Sequence, residues 1–257
     1  MATSAGDILG RAGGVALAPL TATVSAIRRS RMFHPRGTTL RAEVRAIAGE
    51  PPWSTIAARL EGPALVRLSS AWWKKREWPD VLGCAIRFTS TREPDARPQP
   101  GDQDLLLATI RRPWTMPFAP LTTNHHDFFA NDYYAVSPFS AEPAGTIEWR
   151  LAPDHPVQGG GGAHGAPREQ RLAVAVERGD AMFTLEARPY RRVIDLARAA
   201  PWSAIARIEL IETIAIDDDA LRFDPYRAGR GIEPVGFVQS LRIGAYAAGQ
   251  RARPDHG

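Results

Sequence analysis

The chain has 257 residues, 44% of them hydrophobic, with 32 Lys and Arg against 28 Asp and Glu, for a net charge of +4. Acids and bases are interspersed, so no nucleic-acid tail is evident, and no apolar run approaches the ~20 residues of a membrane span. The single cysteine, Cys84, excludes an internal disulfide and any Cys-rich metal site.

Residues 1–14 read as a loose terminus, and Val15 to Arg31 as a helix with Pro19 near its start. A small-residue stretch from Gly13 to Ala26 lacks a basic segment ahead of it, so the reading is against a signal peptide and for a cytoplasmic protein. Residues 38–48 alternate apolar and polar and predict a strand; Leu65 to Ser70 and Gly83 to Thr89 predict two more. Cys84 lies within the third of these and reads as a buried, inert thiol. Thr91 to Asp102, rich in proline and charge, predicts a loop, and Leu105 to Ile110 a short apolar strand. Residues 113–140 show no clear period and are expected to be either functional or a pair of helices.

Thr146 to Ala152 predicts a strand. The glycine run Gly159 to Gly162, with His155 and His164 beside it, reads as a loop; no Lys-Ser/Thr follows to make a phosphate cradle. Leu172 to Glu177 and Ala181 to Arg188 alternate around Arg178-Gly179-Asp180 and predict a hairpin. Pro201 to Leu210 reads as starting in a helical turn, with a strand over Arg207 to Ile216, and residues 236–250 read as the last helix. The sum is an α+β chain: an antiparallel β-barrel with helices at its ends.

The strongest chemical signal is in that last helix. Arg242 and Tyr246 are one turn apart, and Arg253 lies two turns beyond Tyr246 on roughly the same face. A guanidinium beside a phenol favours the phenolate, a hard anionic oxygen able to bind ferric iron. An aromatic packed beneath an arginine is the plain alternative. His125-His126-Asp127 offers no third cluster at zinc spacing and reads as a polar loop. Trp72, Trp73 and Trp78, interleaved with Lys74, Lys75 and Arg76, read as a packed connecting loop rather than a base-stacking surface.

Four segments, in order, resemble the catalase superfamily: Arg31-Met32-Phe33-His34-Pro35-Arg36-Gly37, Gly62 to Ser70, Asp80 to Phe88, and the stretch from Asp224-Pro225 through Gly231-Ile232-Glu233-Pro234 to Arg242–Arg253. The resemblance covers about residues 31–110 and 205–253. It implies one catalase-like barrel domain over residues 31–253, a tail and helix over 1–30, a short tail over 254–257, and a minimal catalase core. It implies haem b as cofactor, with Tyr246 as the axial iron ligand and Arg242 beside it.

The same resemblance makes His34 the distal group that moves a proton between peroxide oxygens, since a neutral imidazole takes and returns protons near pH 7. Ser69, with Ser70 next to it, maps onto the serine that holds the distal ring through its other nitrogen; a serine facing outward from a strand is the alternative. Arg31, Arg67 and Arg253 map onto the arginines that hold the haem propionates, work that suits a bidentate guanidinium. The family's distal asparagine becomes Ala108, unless Asn124 or Asn131 replaces it from the following loop. Two residues are also missing after Gly37 relative to the family. These departures point away from fast disproportionation of hydrogen peroxide. They point to a peroxidase of organic or lipid hydroperoxides, or of hydrogen peroxide with weak or no catalase activity, served by a small reductant; a homo-oligomer is compatible with the sequence. A haem-binding or sensing protein without turnover, and a barrel that binds an apolar ligand without haem, are the other readings.

Overall fold

The computed structural model describes residues 37–71, 77–93, 95–135, 137–154, 165–191, 200–217 and 220–235. The helices expected over Val15 to Arg31 and over 236–250 lie outside them, as do Trp72, Trp73, His155, His164 and the glycine run.

Strands β1 (Gly37–Ala46), β2 (Gly62–Ser70), β3 (Leu82–Phe88) and β4 (Gln103–Ala108) form an antiparallel meander. β5 (Tyr133–Ala135) pairs with β4 and with β7 (Thr146–Pro153), and β7 pairs on its other side with β8 (Met182–Pro189). β9 (Ser203–Thr213) joins β8 back to β1, which closes an eight-stranded barrel. β6 (Phe139–Ala141) continues along the edge of β7, and β10 (Ile232–Pro234) adds outside β6.

Alternation fixes what fills the barrel. On β1 to β4 the register aligns Leu40 with Val66, Val66 with Ile86 and Ile86 with Leu105, and all four are buried. Eight strands leave an interior just wide enough for side chains. Here Trp149, Tyr133 and Phe183 take the bulk of it, with the Tyr133 hydroxyl donating to the Phe128 carbonyl at 2.9 Å and Phe129 stacked on Phe183 at 4.9 Å. Cys84 belongs to this core, and burial pushes its thiol far up, which keeps it inert.

Three expectations are corrected. Residues Arg168–Arg178 are a helix, not the first arm of a hairpin. Leu172, Val174 and Val176 alternate, but Leu172, Ala175 and Val176 recur at helical spacing, and that helical face is the one packed on the core. The Arg178-Gly179-Asp180 turn is its C-cap: Gly179 sits at φ 73°, and the Asp180 N–H donates to the Ala175 carbonyl at 2.9 Å. Second, no helical turn precedes β9, which is extended from Ser203. Two extra residues, Ile205 and Ile211, bulge from its pairings with β8 and β1 and break the alternation that a sequence reading relies on. Third, residues 113–140 are not the pair of full helices that was one of the two expectations. They hold 3-10 turns over Pro113–Phe118 and Phe128–Ala130, a single helical turn over Ala119–Thr122, and the short strands β5 and β6. An unforeseen helix, α1 (Trp53–Leu60), follows Pro51-Pro52 and buries Ile56, Ala57 and Leu60 against the barrel. The turn Ala119–Thr122 is α2, and Arg168–Arg178 is α3.

One carboxylate ties three segments outside the barrel. Glu77 accepts from the first N–H of α3, at Arg168, and lies 2.7 Å from His126 Nδ1. The Arg168 guanidinium in turn donates to the His125 carbonyl at 2.6 Å and lies over the Phe128 ring. Burial pushes the Glu77 carboxyl up, but the hydrogen bonds from His126 and Arg168 and their positive charge outweigh it, and the net shift is downward from 4.5. A lowered carboxyl stabilises the fold above its unfolded value and loses that contribution as pH falls through the folded one. Glu77→Gln should therefore lower the urea midpoint at pH 7 and have little effect well below pH 4.5. An equal loss at both pH values would contradict this role.

Candidate functional site

Because the lumen is packed, a ligand site has to be sought on the outer wall. Two small apolar clusters sit on that wall over β2 to β4. One gathers Leu65, Ala96 and Leu221 near the start of β2; the other gathers Ala71, Val81, Ile110 and Ala119 beyond its end. Between them the register lines up two rows of outward-facing residues. Thr39, Arg67, Ala85 and Leu106 form the first row; Gly37, Ser69, Gly83 and Ala108 form the second.

The rows are mostly small side chains, so apart from Arg67 and Leu106 little projects from the wall here. Arg67, Ala85, Leu106 and Ala108 are half-buried, while Ser69 is only 6% exposed. The Ser69 hydroxyl lies 3.5 Å from the Gly83 carbonyl. The Thr39 hydroxyl is buried without a hydrogen-bond partner, on the strand position opposite Arg67. Gly37 is required by close approach: a Cβ there would meet the Leu68 carbonyl oxygen at 2.7 Å and the Arg67 guanidinium carbon at 2.9 Å. The Arg67 guanidinium thus lies across the start of β1.

Of the seven site residues expected from the sequence, the structure describes two, Arg67 and Ser69, and it brings them together on this wall. Arg31, His34, Arg242, Tyr246 and Arg253 lie outside the described residues. Ala108 stands one strand from Ser69 across Gly83, and neither asparagine of the following loop makes up for its missing amide. Asn131 accepts from the Asn124 N–H at 2.8 Å and donates to the Asn124 and Asp127 carbonyls at 2.8 and 2.6 Å. Asn124 accepts from the His126 N–H at 3.1 Å. Both amides lock their own loop. That loop also brings the rings of His125 and His126 to 4.1 Å of one another, closer than adjacent residues on a regular element would come. No group of three metal-ligating side chains occurs among the described residues. Trp78 is 46% exposed rather than packed.

A buried charge cluster that sequence reading missed holds the other end of the wall. Arg87 and Asp104 are 1% and 0% exposed and face each other across β3 and β4, with Arg87 Nε donating to Asp104 Oδ1 at 3.0 Å. The second Asp104 oxygen accepts from the Asp224 N–H at 2.7 Å and from the Arg227 guanidinium. Arg87 also donates to the Ala96 carbonyl at 3.0 Å and to the Arg222 carbonyl, and it lies over the Phe223 ring. The pair therefore clamps residues 222–227 onto the wall. Gly229 extends the contact: a Cβ there would fall 2.4 Å from the Asp102 carbonyl oxygen. Burial pushes the Asp104 carboxyl above 3.8, and the hydrogen bond and charge of Arg87, the Asp224 N–H and Arg227 pull it back without cancelling the rise.

Solved structures with the same architecture decide what this fold is. The crystal structure of a fungal catalase superimposes with a TM-score of 0.54 at 14% identity, over 92% of this chain and 63% of that one. Catalase A from Saccharomyces cerevisiae gives the same TM-score at 13% identity, over 89% of this chain and 63% of that one. The barrel is catalase-like. At this identity the likeness is one of fold, and the chain spans less than two thirds of the length of either catalase. No protein-family model and no curated protein matches the chain. No helix among the described residues is long and apolar enough to cross a membrane.

Breaking one partner of a buried pair leaves an uncompensated charge and costs about 3–5 kcal/mol, whereas replacing both with apolar residues is often neutral. Asp104→Asn should therefore destabilise the protein by about that amount in denaturant unfolding, and Arg87→Met with Asp104→Leu should recover most of it. An unchanged midpoint in Asp104→Asn would show that the clamp carries no structural weight.

Proposed function

We propose that the chain is a haem-b peroxidase with weak or no catalase activity, acting on organic or lipid hydroperoxides. The observation that carries this reading is the row of small residues Gly37, Ser69, Gly83 and Ala108, bordered by Arg67, on the outside of a catalase-like barrel. A planar apolar ring with carboxylate arms needs a wall from which little projects, a cation beside it and an unmet donor. Arg67 and the partnerless Thr39 hydroxyl fit that need.

Bound haem would supply the oxidation and reduction of peroxide oxygen. The residues of the chain have the remaining roles. Tyr246 would hold the iron through its phenolate, favoured by Arg242. Arg31, Arg67 and Arg253 would take the carboxylates. His34 would accept the peroxide proton and return it to the departing oxygen, with Ser69 orienting its ring. Two residues, Pro35 and Arg36, separate His34 in sequence from Gly37, the strand partner of Ser69. Ala108 offers no amide to hold hydrogen peroxide, which supports the shift to larger hydroperoxides and slow disproportionation.

The same alanine favours a second reading, a haem-binding or sensing protein without turnover. A third is a barrel that binds an apolar ligand without haem; the packed interior leaves no room for such a ligand in the lumen.

Tyr246→Phe keeps the ring and removes the oxygen; haem occupancy and the ferric absorption spectrum should change sharply while the circular dichroism does not. An unaltered spectrum would reject the ligand. His34→Ala should keep haem and lower hydroperoxide-dependent oxidation of a dye by roughly 10²–10⁴-fold. Full haem with full activity in that variant would reject the proton-transfer role, and full haem with no activity in the parent protein would leave the sensing reading.

A further inference from the structure

Phe118 and Leu121, at 64% and 78% exposed, are the two most exposed large hydrophobic side chains among the described residues. Scattered exposed hydrophobics are ordinary. These two are three residues apart and sit on one knuckle, the 3-10 turn Pro113–Phe118 running into α2. Pro117 and Pro120 fix φ at two of its positions, and the Thr115 hydroxyl donates to the Arg112 carbonyl at 2.8 Å. Its underside is anchored, with Ala119 buried and Met116 packed on the cluster at the end of the candidate wall. Arg111, at its base, is exposed, and the chain as a whole carries +4.

We propose that this knuckle docks on the surface of an anionic phospholipid bilayer, with Phe118 and Leu121 in the headgroup–acyl boundary and the exposed Arg111 against lipid phosphates. Exposed apolar tips flanked by arginine suit that partner, because apolar insertion and attraction to anionic headgroups add. The fixed φ angles reduce the ordering needed on insertion. The knuckle leads directly out of β4, whose last residue, Ala108, stands on the candidate wall. Delivery of lipid hydroperoxides from the bilayer to that wall rests on the function proposed above; the docking itself does not.

The test is co-sedimentation of the full chain with vesicles of phosphatidylglycerol and phosphatidylcholine, against phosphatidylcholine alone. Binding should require the anionic lipid and weaken with salt. Phe118→Ser with Leu121→Ser should reduce it by roughly tenfold or more, and Arg111→Gln less. Both variants should keep the parent's thermal transition, since the replaced side chains are exposed. No sedimentation with anionic vesicles, or sedimentation untouched by the double substitution, overturns the proposal. So does a dimer of the parent protein that the double substitution converts to monomer, because a second copy would then cover the face. Haem titration of the same proteins without vesicles is independent of every one of these outcomes and tests the haem reading by itself.

Discussion

The rest of the structure depends on the buried pair between Arg87 and Asp104. It stands on adjacent strands of the barrel wall; one further bond goes to the nearby Ala96 carbonyl, and the others go to residues 222–227, more than a hundred positions later in the chain. Burying two charges is costly, and the upward shift of the Asp104 carboxyl is the sign of that cost. What the pair secures is position. The Asp224–Pro234 stretch is laid along β4 and then added to the sheet as β10, so the chain leaves the barrel at a defined place on the way to Arg242 and Tyr246.

A second constraint acts from inside. Eight strands close around Trp149, Tyr133 and Phe183, and the lumen is core. The packed lumen leaves the outer surface as the place for a candidate site, where most strand residues would present bulk or charge. On β1 to β4 they present Gly37, Gly83, Ala85 and Ala108 instead, with Arg67 and Ser69 between. Ser69 and Gly83 of this row are buried and Gly37, Ala85 and Ala108 half-buried, so the row is covered rather than open to solvent.

Much of the barrel was legible in the sequence because its strands alternate on a half-buried surface. β1 to β4, β7 and β8 fall where the apolar period places them. The failures have local causes. Leu172 to Val176 satisfies a period of two and a period of 3.6 equally well, and a glycine after it serves a hairpin or a helix C-cap alike. Ile205 and Ile211 are bulge residues, so β9 loses its alternation where its direction matters most. The candidate site was legible in part: Arg67 and Ser69 came from motif resemblance, and the wall joins them. The rows themselves were not legible, since they exist only in the register between strands. Nor was the Arg87–Asp104 pair, whose partners in the chain share no local pattern.

The central proposal is that Arg67, Ser69 and Thr39 on this wall would help to hold a haem, with Tyr246 as its iron ligand. A crystal structure of the protein after reconstitution with haem tests this most directly. The account predicts a porphyrin against that wall, iron bound by the Tyr246 oxygen, and Thr39 and Arg67 at a propionate. A porphyrin on another face, another iron ligand, or a protein that takes up no haem would contradict it.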